Sequence, residues 1–348
     1  MRNARKTPVC ASPSLLFSNL ATDGSKLAFA HNAEVVLAPA PPSLHSSTPL
    51  SYKIPQLHGK PVLRVRWVGH SLLAVGGVGS LQIYSADDRR LLFSLEAPEG
   101  GQEPPAFPSI GGEGSLILAG TSAGSLCVVK ALSGEQFTEA AFYQAASDPI
   151  VDLSSKGERE GEGAAVLIAT ADGGGGLSLF RLGEETWERC AVDEGRGREG
   201  EKVRGELERM REWRRKLSDF VPEEGEMCTV VRMQGSKLYS AFSSGCKIAR
   251  GFRRIRIFEV EGHNLLLSTL VAAHARWINA LEVHPSKPIF ASAAEDSFVS
   301  VWAFEPTGKL SLRGSSHAPD SLMCGLAFCE DHLAATAYDH PSILTWAF

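Results

Sequence analysis

The 348-residue sequence has no apolar run near the roughly 20 residues that carry a helix through a bilayer, so a helical membrane protein is set aside. It also has no C-x-x-C pair. Its seven cysteines (Cys10, Cys127, Cys190, Cys228, Cys246, Cys324 and Cys329) are odd in number and scattered. That spacing speaks against a zinc finger or redox motif and fits a reducing compartment, so a cytoplasmic location is expected. Neither sign of charge dominates. With 35 basic against 40 acidic residues and a pI near 6.1, nucleic-acid or membrane attraction cannot rest on the total charge. The glycine run from Gly173 to Gly176 lacks the following Lys-Ser/Thr of a phosphate loop, and no G-x-S-x-G elbow is present. No catalytic residue, cofactor or metal ion is expected.

Glycine, by contrast, is plentiful. Thirty-four glycines, together with the alternation of apolar and polar residues, favour an all-β fold with many tight turns. The N-terminal twenty residues carry Arg2, Arg5 and Lys6 with several serines and no acid. They read as a basic tail leading into the first strand, with an organellar transit peptide as the alternative.

One strand pattern recurs. An apolar, variable, apolar, large tetrad follows a turn in Leu81-Gln82-Ile83-Tyr84, Leu126-Cys127-Val128-Val129, Leu177-Ser178-Leu179-Phe180, Ile255-Arg256-Ile257-Phe258, Val299-Ser300-Val301-Trp302 and Ile343-Leu344-Thr345-Trp346, with a weaker copy at Val35-Val36-Leu37-Ala38. The last residues of successive copies, Ala38, Tyr84, Val129, Phe180, Phe258, Trp302 and Trp346, are separated by 46, 45, 51, 78, 44 and 44 residues. A small-residue strand precedes each copy, as in Leu72-Leu73-Ala74-Val75 and Ile289-Phe290-Ala291-Ser292. Such a strand suits the middle of a blade pressed between two others about 10 Å away. A period of 40 to 45 residues marks a four-stranded blade, and seven blades that cannot bury both faces alone must close into a ring.

The expected blades span 12–60, 61–104, 105–146, 147–193, 227–272, 273–316 and 317–348, with a closing strand at 7–11. In Val62-Leu63-Arg64-Val65-Arg66-Trp67, alternation places Leu63, Val65 and Trp67 on one side. Arg64 and Arg66 fall on the other, as expected of an inner strand lining a wet channel.

The sixth copy carries a further set of residues: His274 before the inner strand, Ser292 on the second, Asp296 in the next turn and Trp302 ending the third. This pattern resembles the signature of WD40 proteins. The resemblance implies a structural relay in which the Trp ring N–H bonds to Ser, Ser to His and His to Asp. The same residue types also invite a Ser-His-Asp hydrolase reading, which Trp302 argues against by completing the structural relay. The seventh copy keeps His317, Asp339 and Trp346 but has Ala335 in place of the serine.

AHARWINALEV, ASAAEDSFVSVWAF, SLMCGLAFC and AATAYDHPSILTWAF together resemble the family of WD repeat-containing protein fifty-four. That resemblance is clear over about 80 residues and implies a non-catalytic, cytoplasmic propeller that acts through protein association and self-association.

The separation of 78 hides two insertions. At 194–226, Val203, Leu207, Met210, Arg214 and Leu217 recur at helical spacing, which predicts an inserted amphipathic helix. Around it lie Arg209, Arg211, Trp213, Arg215 and Lys216. At 243–254, Lys247, Arg250, Arg253 and Arg254 lie in a turn that opens on the same face. Together they form a candidate partner-binding patch for an acidic peptide, another subunit or a phosphate-bearing ligand. A solvated helix packed over its own rim, its charge offset by Glu199, Glu201, Glu206, Glu208 and Glu212, explains the same residues. The acidic run 157–163 reads as a loop on the opposite face. A protein-interaction scaffold is therefore expected, with unnamed protein partners and self-association. A propeller that binds nucleic acid or phosphate ligands through the arginine-rich insertions is the alternative.

Overall fold

Glycine-bearing turns between apolar tetrads close hairpins. In a computed structural model, the described residues form twenty-eight strands in seven antiparallel four-stranded sheets. The described residues are 4–41, 52–55, 59–69, 71–85, 87–96, 105–132, 136–138, 140–160, 163–183, 187–193, 227–243, 253–262, 264–338 and 340–347.

Strand β1 (Arg5–Pro8) opens the chain. Blade 1 is β2 (Ala21–Thr22), β3 (Lys26–His31), β4 (Glu34–Pro39) and β5 (Tyr52–Pro55). Blade 2 is β6 (Val62–Val68), β7 (Leu72–Gly77), β8 (Ser80–Ser85) and β9 (Leu91–Glu96). Blade 3 is β10 (Ser109–Glu113), β11 (Leu116–Gly120), β12 (Ser125–Lys130) and β13 (Ala141–Gln144). Blade 4 is β14 (Ile150–Glu160), β15 (Gly163–Asp172), β16 (Leu177–Leu182) and β17 (Trp187–Asp193). Blade 5 is β18 (Met227–Gln234), β19 (Lys237–Ser243), β20 (Arg253–Glu261) and β21 (Asn264–His274). Blade 6 is β22 (Ile278–Val283), β23 (Ile289–Ala294), β24 (Phe298–Phe304) and β25 (Leu310–His317). Blade 7 is β26 (Met323–Cys329), β27 (His332–Ala337) and β28 (Ser342–Ala347), with β1 as its outer strand.

That last pairing joins the two ends of the chain. Arg5, Lys6, Thr7 and Pro8 stand opposite Thr345, Leu344, Ile343 and Ser342, and the N–H of Val9 adds a bond to the Pro341 carbonyl. The paired residues are thus 5–8, slightly earlier than the expected 7–11. Pro8, which has no N–H to give, sits at the end of an outer strand where it is tolerated. Val9 and Ala11 lie beyond it, buried with Leu27, Phe29 and Val36 of blade 1.

The core lies between blades rather than within them. Each apolar cluster joins facing sides of two neighbours, and the seven clusters account for all seven junctions of the ring. Alanines hold the tightest positions: Ala28, Ala74, Ala119, Ala169, Ala241, Ala291 and Ala334 on the second strands are essentially inaccessible. Cys127, Cys228, Cys324 and Cys329 fill the same layers as small apolar residues. Burial pushes the thiols of Cys127 and Cys324 up to about 12 and that of Cys329 up to about 11.

Three expectations change. The run 157–163 is not a loop at its ends: β14 and β15 pair through Glu158↔Ala165 to Glu160↔Gly163, an elongated hairpin to which the ion pair of Arg181 with Glu158 (3.1 Å) is tied. Arg253 and Arg254 belong to β20 rather than to a turn, paired with His274 and Ala272. Arg64 does not line a wet channel, because it is buried within an ion-pair network. The helix expected at 203–217 lies outside the described residues.

Candidate functional site

Blade 6 brings four polar side chains into one chain of hydrogen bonds. His274 closes β21, Ser292 lies on β23, Asp296 follows it in the turn and Trp302 is on β24. Asp296 faces His274 Nδ1 at 3.1 Å with both oxygens, Ser292 Oγ lies 2.8 Å from His274 Nε2, and the Trp302 indole N–H donates to Ser292 Oγ over 3.1 Å. With the carboxylate accepting from Nδ1–H, Nε2 is the acceptor, so Ser292 donates to it while accepting from Trp302.

The backbone N–H groups of Ala275 (2.9 Å) and Phe298 (3.1 Å) also donate to Asp296. Burial pushes this carboxyl up, but the hydrogen bond from His274 and the two backbone donors outweigh it, leaving it below the usual carboxylate value. The order of groups matches a hydrolase triad. Its placement does not, because Ser292 is 0% and His274 2% exposed and the serine oxygen is already engaged by Trp302. No substrate can reach this hydroxyl.

Blade 7 lacks the serine and finds another. The Trp346 indole N–H donates to Ser316 Oγ of neighbouring blade 6 over 3.0 Å. His317 is exposed and stacks on Phe298, with ring centroids 4.7 Å apart. Asp339 lies outside the described residues.

A second constellation spans the ring. Arg64 of β6 meets Asp152 of β14 (3.2 Å), Arg232 of β18 meets the other oxygen of Asp152 (2.7 Å) and reaches Glu282 of β22 through Nε (3.0 Å), and Arg66 returns to Glu282 (3.5 Å). Blades 2, 4, 5 and 6 are thereby linked across the channel. The Val231 N–H adds a bond to Asp152, and Arg64 donates to the carbonyls of Phe17, Pro108 and Val151. Burial lowers Arg64 against the pull of Asp152, and it raises Asp152 and Glu282 against the attraction of the arginines. Charges this buried persist only because each is paired and hydrogen-bonded. Sequence reading found the inward face of Arg64 and Arg66 but not their partners. Its one available signal is an acid or arginine on the inner strands of blades 4, 5 and 6.

Beyond Arg66 and Glu282 the channel opens into a cavity of about 650 Å³ between blades 6, 7, 1 and 2, also lined by His284, Lys287, Phe328 and Asp331. His284 Nδ1 accepts from the N–H groups of Ser286 (3.1 Å) and Lys287 (3.0 Å), and Nε2–H bridges to the Glu330 carbonyl on blade 7. Burial, foremost, holds His284 below its ordinary value.

Of the ten residues of the basic patch, Arg253 and Arg254 are described, at the start of β20. Arg209, Arg211, Trp213, Arg214, Arg215, Lys216, Lys247 and Arg250 lie outside the described residues. Among the described residues no cluster of His, Cys, Asp and Glu is arranged to hold a metal ion, and no helix is long and apolar enough to cross a membrane.

Seven four-stranded blades and a ring closed by pairing its first strand with its last make this chain a seven-bladed β-propeller, and its Trp-Ser-His-Asp relay resembles that of WD40 proteins. Over almost its whole length it is similar to WD repeat-containing protein 54 of Mus musculus, 23% identical over 372 residues that cover 99% of this chain and 98% of the mouse protein. WD repeat domain 54 of Rattus norvegicus is likewise 23% identical, over 375 residues covering 99% and 98%. No family model matches the sequence. Among solved structures, a chain in the crystal structure of a mitotic checkpoint complex superposes with a TM-score of 0.68 at 14% identity, covering 100% of this chain and 94% of that one. That likeness shows the fold. The fold and the WD repeat relatives support, in general terms, a protein-interaction scaffold.

Proposed function

We propose that this chain is a non-catalytic scaffold of the cytoplasm that holds protein partners, a second copy of itself among them, on the faces of its propeller. The observation that carries this reading is where its chemistry-bearing side chains are spent. The Ser-His-Asp set is sealed under Trp302, and the inner-strand charges neutralise one another across the channel. Among the described residues this leaves the turns, the connections and the cavity at the channel mouth for recognition, the usual resource of a fold whose function is carried by grafted sites. Buried, unpaired thiols fit a reducing compartment.

The test is purification from the source cell under increasing salt. The scaffold reading expects a defined protein to stay bound at salt that strips polyanions, and sedimentation of the pure chain to show an oligomer that dissociates on dilution. Recovery of nucleic acid alone, released steeply by salt, would contradict it.

A further inference from the structure

The neutralisation across the channel is one charge short. The inner strands bring three guanidinium groups, those of Arg64, Arg66 and Arg232, to two carboxylates, Asp152 and Glu282. Both carboxylates are shared. Asp152 serves Arg64 with one oxygen and Arg232 with the other, while a single oxygen of Glu282, Oε2, takes both Arg232 Nε (3.0 Å) and Arg66 Nη1 (3.5 Å). Arginine keeps its proton at any ordinary pH, so the excess positive charge is not relieved by titration. A water can turn its dipole to a buried cation, but a full charge taken out of bulk water calls for a counter-charge.

Two arginines mark where that counter-charge belongs. The Arg232 side chain is 5% exposed, and its Nη2, at the tip of the guanidinium, is buried with no hydrogen-bond partner among the described residues. Arg66 is the one of the three arginines that lines the cavity of about 650 Å³. Its guanidinium meets Glu282 at the long distance above and makes no other hydrogen bond to a described residue. Ala21, Arg66, Glu282 and Ala327 each stand opposite an alanine of their blade's second strand (Ala28, Ala74, Ala291 and Ala334), which sets them at one level of the channel. The two small side chains on blades 1 and 7 leave the room beside Arg66.

Nearer the mouth, side-chain donors are already committed. The Thr22 hydroxyl donates to the Lys26 carbonyl (2.9 Å), and Lys287 pairs with Asp331 (2.7 Å) through side chains 43% and 73% exposed. Asp23 accepts from the N–H groups of Ser25 (2.8 Å) and Lys26 (2.6 Å). With Glu330, these groups make a rim that is acidic and turned to water. Such charges are screened for an ion lying deeper, and they repel a doubly charged anion more than a single one.

We propose that the inner end of this cavity binds one small monovalent anion, of halide size, between the guanidinium groups of Arg66 and Arg232 and against Ala21 and Ala327. One negative charge balances the excess. The alanine walls offer no donors to the further oxygens of a sulfate or phosphate. Bound there, the ion ties blade 2 to blade 5 and stabilises the closed ring. The site stands apart from the scaffold reading, and either can fail without the other.

The test is thermal unfolding of the full chain with sodium chloride or bromide exchanged for sodium gluconate at constant ionic strength, so that screening is unchanged. Chloride and bromide are expected to raise the midpoint by about 3–5 °C at about a hundred times their Kd. Arg66→Gln leaves two guanidinium groups for two carboxylates and should lose that shift. Arg313→Gln removes an exposed cation from β25 and should keep it. A crystal soaked in bromide should show an anomalous peak between Arg66 and Arg232, a measurement that needs no variant to fold. A midpoint indifferent to the exchange, an Arg66→Gln protein that folds and keeps the full shift, or a bromide soak without a peak in the channel would overturn the site.

Discussion

Ser292 shows how much one hydroxyl can hold. It donates to His274 and accepts from Trp302, so Ser292→Ala strands two buried polar groups at once. That should cost about 2–4 kcal/mol in urea unfolding; a loss under about 0.5 kcal/mol would mean the relay does not stabilise the blade. His284 gives a pH signature. Its folded-state value lies below the ordinary 6.5 because of burial, so the native state binds fewer protons than the unfolded chain as the solution acidifies. Its contribution is therefore complete above the ordinary value and is lost as pH falls through the window below it. Urea midpoints measured from neutral pH to pH 5 should fall less steeply for His284→Asn, which keeps an acceptor for the turn, than for wild type.

The relay came into view through resemblance to the WD40 signature, whose four positions His274, Ser292, Asp296 and Trp302 fall within one repeat. His284 was not legible in sequence, since nothing in the VHPSKP segment reveals that its ring would accept two backbone N–H groups and bridge to blade 7.

At the scale of elements, the phase of the repeat gave every blade, because alanine-rich second strands and apolar third strands are what inter-blade packing demands. Lengths were harder to read. The hairpin of β14 and β15 runs past its neighbours, and its glycine- and glutamate-rich end gave no strand signal. Packing between elements is close enough to make glycine obligatory at some positions. A Cβ at Gly120 would lie 2.3 Å from Ser109 Oγ and 2.5 Å from Ile150 Cγ2, where blade 4 presses on blade 3. Gly120→Ala should therefore destabilise the protein by roughly 1–3 kcal/mol, read as a lowered urea midpoint. Strand β1 is the element whose loss should spread furthest. Removing residues 1–8 exposes the edge of β28, and thermal unfolding should shift several degrees downward, with faster amide exchange in blade 7; an unchanged melting curve would mean that this pairing does not close the ring.

Across the whole molecule, the ion-pair network is the feature sequence could not supply. Its members come from positions 64, 66, 152, 232 and 282, and no local pattern joins residues that meet only once a ring has closed. Asp152→Ala leaves Arg64 and Arg232 buried without their shared carboxylate and should cost about 3–5 kcal/mol. With the relay sealed and the inner-strand charges paired, the scaffold reading leaves recognition to the two ends of the ring, where its turns, connections and channel mouth lie. The most direct measurement is crosslinking mass spectrometry, with a reagent joining carboxylates to lysines, on the protein purified from its own cell with its partners. The account predicts that crosslinks to a partner fall on the turns and connections at one end of the ring. Partner crosslinks confined to the outer strands, or none at all, would contradict it.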